Sequence, residues 1–457
     1  MQSLQGELAN LAQLVEHFIR NERVVGSIPI VGSEHFFMRN ASFGSFLMAA
    51  LLACYLINCF SPLRLEYDSI RYFALKDCLE HACPVGFQAA DDPHPYGYPV
   101  LLWLLSRMGL LYPFTIAFIN LVYLAGALYF TGKLFGRMGG SRRGMFRTAG
   151  GGDMLSERKL EIGVVLLLLG YPFIKYFGYP LSEMQYLFFS CGSLCFFRLY
   201  TERGTRAGAL VLSFLFAGLA IFTRTAGIVL IPALLAGLGW HHRIVLIRRW
   251  KTVGLLGLVV LAGIIAGLRN INTGLYMNSV RHAGPGWKVL LKEHLAEWGE
   301  LLLNVPAGKF AGAGRWMFAA AGLLLMAVVV YCIIRRRKNA SVTVSVYLVF
   351  YSVLIFYWPF FDVRFWIPVA PLVVMILLQG LPVRMLLIRG LLVLYVMAGL
   401  GAIGYSMYTS FNEQALARNQ AGGRYRNEYE THFFGNPLRD TVTPVDPYVL
   451  HVLETCK

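Results

Sequence analysis

The chain has 457 residues, 57% of them hydrophobic and only 14% charged, with a mean hydropathy of +0.56, which excludes a water-soluble globule with an ordinary charged surface. The formal net charge of +16 would point to nucleic acid in a soluble protein. Here the basic residues gather in short links between apolar runs, so a nucleic-acid partner is not expected.

Residues 1–37 are polar and lack the apolar core and cleavage site of a secretory signal. The run from Leu11 to Pro29 resembles conceptual translations of transfer-RNA genes, so this part is expected to be a doubtful or disordered extension, with translation beginning at Met38. A weakly amphipathic cytoplasmic extension is the alternative.

From residue 38 to about 408 the apolar runs lack the alternation of a barrel strand, and several approach the roughly 20 residues a membrane-crossing helix needs. The fold class expected is an all-α polytopic membrane protein with about eleven transmembrane helices. Outward spans fall at 41–60, 161–177, 207–223, 252–268, 341–357 and 388–407, and inward spans at 111–136, 183–200, 225–241, 315–334 and 365–381. This threading puts every basic cluster on one side: Arg142, Arg143, Arg147, Arg158 and Lys159; Arg198, Arg203 and Arg206; Arg243, Arg248, Arg249 and Lys251; Arg335 to Lys338; and Arg384 with Arg389. By the positive-inside rule that side is cytoplasmic, and residues 409–457 form an extracytoplasmic tail.

The loop after the first span holds Glu66, Asp68, Asp77, Glu80, Asp91 and Asp92. From Asp68 its pattern predicts a short interfacial helix, with Ile70, Phe73, Ala74 and Leu79 on the apolar side. Spacing leaves two roles open for Asp68, a helix cap worth about 1 kcal/mol or a catalytic carboxylate. Cys78 and Cys83 share this loop, where an oxidising compartment permits a disulfide; Cys54, Cys59, Cys191, Cys195 and Cys332 lie in apolar runs and are expected to pack there.

Three further charged breaks fall on the same outer face. Lys175 and Glu183 flank one turn, Arg224 interrupts Leu215 to Leu235, and Asp362 with Arg364 divides Trp358 from Trp366. The stretch 208–222 rises only about 22 Å, short of a ~30 Å hydrocarbon core, so Arg224 is expected in a recess. Snorkelling to the headgroups is its alternative, and a simple interfacial ion pair is the alternative for Asp362 and Arg364. Trp287, His294, Glu297 and Trp298 in the second long outer loop, and Tyr425, Tyr429, Phe433 and Phe434 in the tail, suit acceptor gripping, a lid or packing.

Taken in order, these segments resemble the membrane-embedded GT-C glycosyltransferases, in particular the superfamily of protein O-mannosyltransferases and lipid A aminoarabinose transferases. Asp68-Ser-Ile-Arg-Tyr-Phe-Ala is similar to the family's first-loop D-s-x-x-Y-x-x-x-A helix, and His94-Pro-Tyr-Gly-Tyr-Pro-Val-Leu-Leu-Trp-Leu-Leu to its P-P-G-Y-P element. Pro180-Leu-Ser-Glu-Met-Gln-Tyr-Leu-Phe resembles P-x-S-E-x-x-x-x-F, Thr223-Arg-Thr-Ala-Gly resembles T-R-x-x-G, and Arg364-Phe-Trp-Ile-Pro-Val-Ala-Pro resembles a late Arg-aromatic-x-x-P-x-x-P element. The likeness spans residues 41–380. It departs in a short Tyr72–Ala74 spacing, in Tyr96 where a second proline is usual, and in an acidic pair spread over Glu66-Tyr-Asp68.

The resemblance implies inverting transfer of a sugar from a polyprenyl-phosphate carrier to a lipid, glycan or protein acceptor, at the outer face of the cytoplasmic (inner) membrane, facing the periplasm or exterior. It casts Asp68 as the catalytic base, Glu66 and Glu183 as assisting acids, and Arg224, Arg364 and Lys175 as ligands of the lipid phosphate. No cofactor is firmly implied; Glu66, Asp68, Asp91, Asp92 and His94 only hint at a divalent metal. A polytopic lipid or solute transporter or flippase, or a non-catalytic membrane scaffold, are the readings from other classes. A transporter would show internal repeats and charges at the bilayer midplane, and neither is evident in the sequence.

Overall fold

The computed structural model describes residues 33–136, 152–203, 207–242, 286–335, 342–381, 386–435 and 444–456, and these are helical with no strand among them. The expected span 252–268, most of the basic clusters and most of the 1–37 extension lie outside the described residues.

Helix α1 runs Ser33–Asn58, beginning ahead of Met38. The first loop contributes α2 (Tyr67–Leu79) and α3 (Gly97–Arg107), and α4 (Pro113–Phe135) follows, opened by its own proline at the first turn. The single span expected at 161–177 is divided at Gly170 into α5 (Gly152–Leu168) and α6 (Tyr171–Tyr176), because Pro172 starts a new helix and cannot continue the old one. Helices α7 (Glu183–Arg203) and α8 (Ala207–Thr223) come next, then a 3-10 turn at Thr225–Val229 and α9 (Leu230–His241).

Helix α10 (Trp287–Leu303) lies in the segment expected to be the second outer loop and packs along α11 (Ala313–Arg335). Glycine permits that approach, since a Cβ on Gly322 would sit 1.8 Å from the Leu295 carbonyl oxygen and one on Gly299 2.0 Å from that of Phe318. Helix α12 (Val342–Phe356), a 3-10 turn at Val363–Trp366, α13 (Ala370–Gly380) and α14 (Leu386–Ser410) complete the apolar part. The tail forms α15 (Glu413–Asn419), α16 (Arg426–Phe434) and α17 (Pro447–Thr455).

Three helices are long and apolar enough to cross a membrane, within Pro113–Phe135, Ala313–Arg335 and Gly390–Ser410. Shorter apolar helices are Gly44–Asn58, Ala207–Thr223, Thr225–His241, Val342–Phe356 and Ala370–Gly380. Their outward faces stay apolar, with Val211, Leu215, Leu324, Val353 and Leu394 all exposed, as a lipid-facing surface requires.

Helices α1 and α14 end side by side. Buried Arg64, just past α1, donates through Nη2 to the Ser406 carbonyl at 3.0 Å and to Ser410 Oγ at 2.7 Å, neutralising the carbonyl end of α14. The tail folds back over the same end: Tyr429 Oη donates to Leu63 O at 2.6 Å and accepts from Leu65 N at 3.0 Å, and Tyr448 Oη donates to Asp77 at 2.5 Å. Thus the first loop and the tail lie at one end of the helices. Tyr425, Tyr429, His294, Glu297 and Trp298 are buried and pack, so of the roles open to the second loop and the tail, packing is the one these five side chains take. Cys78 and Cys83 form a disulfide, and Cys59, Cys191, Cys195 and Cys332 are buried among apolar neighbours.

The two largest of four hydrophobic clusters build most of the interior. One joins α1, α2, α3, α4, α6 and the tail; the other joins α8, α9, α11, α12 and α13. The segment after α12 bridges them, with Val363 and Ile367 in the first cluster and Phe365 and Trp366 in the second. Arg364 stands between.

Candidate functional site

Glu66 is the N-cap of α2, and Ser69 Oγ accepts the Glu66 backbone N–H at 3.0 Å. Asp68 therefore sits in the first turn and is not the cap residue. Its side chain turns to tertiary partners: Oδ2 accepts from Arg364 Nη2 at 2.7 Å, and Oδ1 lies 3.5 Å from His94 Nε2.

Arg364 is only 7% exposed. Asp362 caps its 3-10 turn, accepting from Arg364 N at 3.0 Å, and also approaches Arg364 Nε at 3.2 Å. The ion pair of Asp362 and Arg364 thus forms, as one part of a larger, partly buried set. Glu183, at the start of α7, lies 3.8 Å from Arg364 Nε and is bonded by Arg224 Nη1. The Phe365 ring centroid lies 5.1 Å from the Arg364 guanidinium carbon and 5.5 Å from that of Arg224, so one aromatic ring serves both cations. Arg224 is partly buried, its side chain 16% exposed and held by Glu183.

Lys175 stays exposed at the rim and donates to Tyr176 Oη at 2.6 Å, which donates to Asp362 at 2.8 Å. Glu66 makes no ion pair among the described residues, and burial raises its carboxyl pKa against the opposing pull of Lys175 and Arg364. Asp68, Glu183, Arg224 and Arg364 are brought into direct contact; Lys175 and Glu66 border them. Asp77 and Glu80 instead pair with Lys76, away from this set.

Sequence reasoning read Asp92 and His94 only as a hint of a metal and gave no role to Arg71, Tyr72 or Ser182. His94 Nδ1 lies 2.7 Å from Asp92 Oδ1, and Asp92 Oδ2 accepts from Arg71 Nε at 2.7 Å, which makes a line Arg71–Asp92–His94–Asp68. Tyr72 and Ser182 share a hydrogen bond of 2.8 Å and pin α2 beside the start of α7. A signal existed: Tyr72 lies four residues after Asp68, on the same helix face, and Ser182 immediately precedes Glu183.

Burial pushes the Asp68 carboxyl up, but the charge of Arg364, the hydrogen bond and charge of His94 and the charge of Arg224 outweigh it and hold Asp68 well below the usual carboxylate range. Burial pulls the His94 imidazole down, while the hydrogen bonds and charges of Asp68 and Asp92 raise it above its ordinary value. Arg364 Nη1 and Glu183 Oε2 are buried and make no hydrogen bond among the described residues. One is a cationic donor and the other an anionic acceptor, each costly to leave without a partner.

No three His, Cys, Asp or Glu side chains among the described residues converge as metal ligands. Three of the acids suit a divalent ion poorly, because an arginine already occupies each: Arg364 on Asp68, Arg71 on Asp92 and Arg224 on Glu183. Comparison of the chain with protein-family models, with characterised proteins and with solved structures returns no match.

Proposed function

We propose that the protein is an inverting membrane glycosyltransferase of GT-C type, moving a sugar from a polyprenyl-phosphate carrier to a lipid, glycan or protein acceptor at the outer face of the cytoplasmic membrane. The single observation that supports this most is the meeting of four separated sequence elements, through Asp68, Glu183, Arg224 and Arg364, in one partly buried cluster. About eleven spans, with the described helices supplemented by 252–268, complete the architecture of this reading.

In the reaction the acceptor oxygen or nitrogen attacks the anomeric carbon from the face opposite the phosphate, and its proton passes to Asp68. The bond from the anomeric carbon to the phosphate oxygen breaks, and its electron pair leaves on the polyprenyl phosphate. Arg224 and Arg364, two guanidiniums on one aromatic ring, match the charge developing on that phosphate. Asp68 paired to Arg364 is a weak base. A donor phosphate competes for the same guanidinium, and by sharing its charge raises the basicity of Asp68 as the substrate binds.

Membrane vesicles given labelled polyprenyl-phosphate sugar test this. Wild-type protein transfers label, Asp68→Asn abolishes transfer and Arg224→Ala lowers it by about a hundredfold or more. Undiminished transfer by folded Asp68→Asn removes Asp68 as the base.

A further inference from the structure

Helix α10 lies outside the cluster just described, yet it grips the segment that carries Asp362 and Arg364 at both ends. His294 Nε2 is 2.8 Å from the Trp358 carbonyl oxygen, before the segment, and Glu297 Oε2 accepts from Trp366 Nε1 at 2.7 Å, after it. The two side chains meet each other at 2.8 Å, Nδ1 to Oε2. His294 is 0% and Glu297 2% exposed, and Phe356, Phe361 and Trp366 rings surround the imidazole.

Donor and acceptor counting fixes the protons. A carbonyl only accepts, so Nε2 carries hydrogen; Trp366 N–H only donates, so Oε2 accepts from it. The Nδ1–Oε2 contact then needs one further proton, on nitrogen as an ion pair or on oxygen as a neutral pair. Either way the pair is electrically neutral, which its complete burial favours. Burial raises the Glu297 carboxyl pKa against the lowering effect of its bonds to His294 and Trp366.

We infer that His294 and Glu297 form a positioning latch that sets the Arg364 segment against Asp68 and Glu183. They touch neither donor nor acceptor and act through the segment. The catalytic part of this inference rests on the glycosyltransferase reading; the mechanical part does not.

Glu297→Gln is the discriminating variant, because it keeps volume but not chemistry. Its amide presents either oxygen, leaving Nδ1 and Nε2 with one proton for two acceptors, or nitrogen, which opposes the Trp366 N–H. His294→Phe keeps a ring and loses both hydrogen bonds. Hydrogen exchange of the whole protein in detergent or nanodiscs is expected to accelerate at the amides of 360–366 in both variants, with α4 and α11 unchanged. In the vesicle assay both variants are expected to lower kcat about tenfold to a hundredfold with little change in KM, and to add little further loss in an Arg364→Ala background. Unchanged exchange at 360–366 overturns the latch, and so does acceleration spread equally over α4 and α11, which marks a general stability role. If wild-type protein transfers nothing, the glycosyltransferase reading falls while the exchange result still decides the latch.

Discussion

At the scale of single residues, charge is placed where removal of one partner leaves the other stranded. Glu183 is 1% exposed and bonded to Arg224, so Arg224→Ala leaves a buried carboxylate with only Arg364 at 3.8 Å. The expected loss of stability is about 3–5 kcal/mol, read by thermal unfolding in detergent, and Arg224→Ala with Glu183→Gln together is expected to recover part of it. His94 gives a pH signature. Its raised imidazole contributes in full below its unfolded value, about 6.5, and the contribution is lost as pH rises through the higher folded value. The gap in melting temperature between wild type and His94→Gln is therefore expected to be widest at pH 6 and to narrow toward pH 9; a gap that widens with pH contradicts the assignment. Asp68 has the opposite sign, contributing above about 3.9 and losing its pairing only as pH falls through its depressed value.

At the scale of elements, two contacts hold the site end together. Gly322 lets α10 lie on α11, and Gly322→Ala forces backbones apart against a carbonyl that cannot yield as a side chain would. Destabilisation of about 1–3 kcal/mol is expected, with faster hydrogen exchange along α10 as the check. Tyr429→Phe removes the hydroxyl that links α16 to Leu63 and Leu65. A cost of about 1–3 kcal/mol and earlier proteolysis of the tail are expected, since two buried backbone groups lose their partner. Helix ends were legible where composition changes sharply: the expected span 207–223 coincides with α8, and 111–136 nearly coincides with α4. The division of 161–177 at Gly170 and the helix at Trp287–Leu303 were not read, the first because apolar periodicity continues across the break, the second because α10 mixes Lys and Glu with its leucines.

At the scale of the whole molecule, the first loop and the tail share one end, and Arg198 lies fifteen residues along α7 from Glu183, about 22 Å away at 1.5 Å per residue. The proposed topology makes that separation a crossing of the membrane. In intact cells a membrane-impermeant thiol reagent is expected to label Glu413→Cys directly and Glu202→Cys only after lysis; labelling of both without lysis contradicts the orientation. The sequence by itself determined the helical class, the apolar runs and the charged breaks, because hydropathy and helix periodicity are local properties of the chain. It also singled out Asp68, Glu183, Arg224 and Arg364, since a charge beside an apolar run is conspicuous. Only the tertiary structure decided that Asp68 binds Arg364 rather than capping α2, that Asp92 and His94 stand behind it, and that His294 and Glu297 hold the Arg364 segment. Asp92 and His94 are two residues apart, but the other pairings join residues 64 to 296 positions apart at 2.7–2.8 Å, a geometry set by how helices pack, which no local pattern encodes.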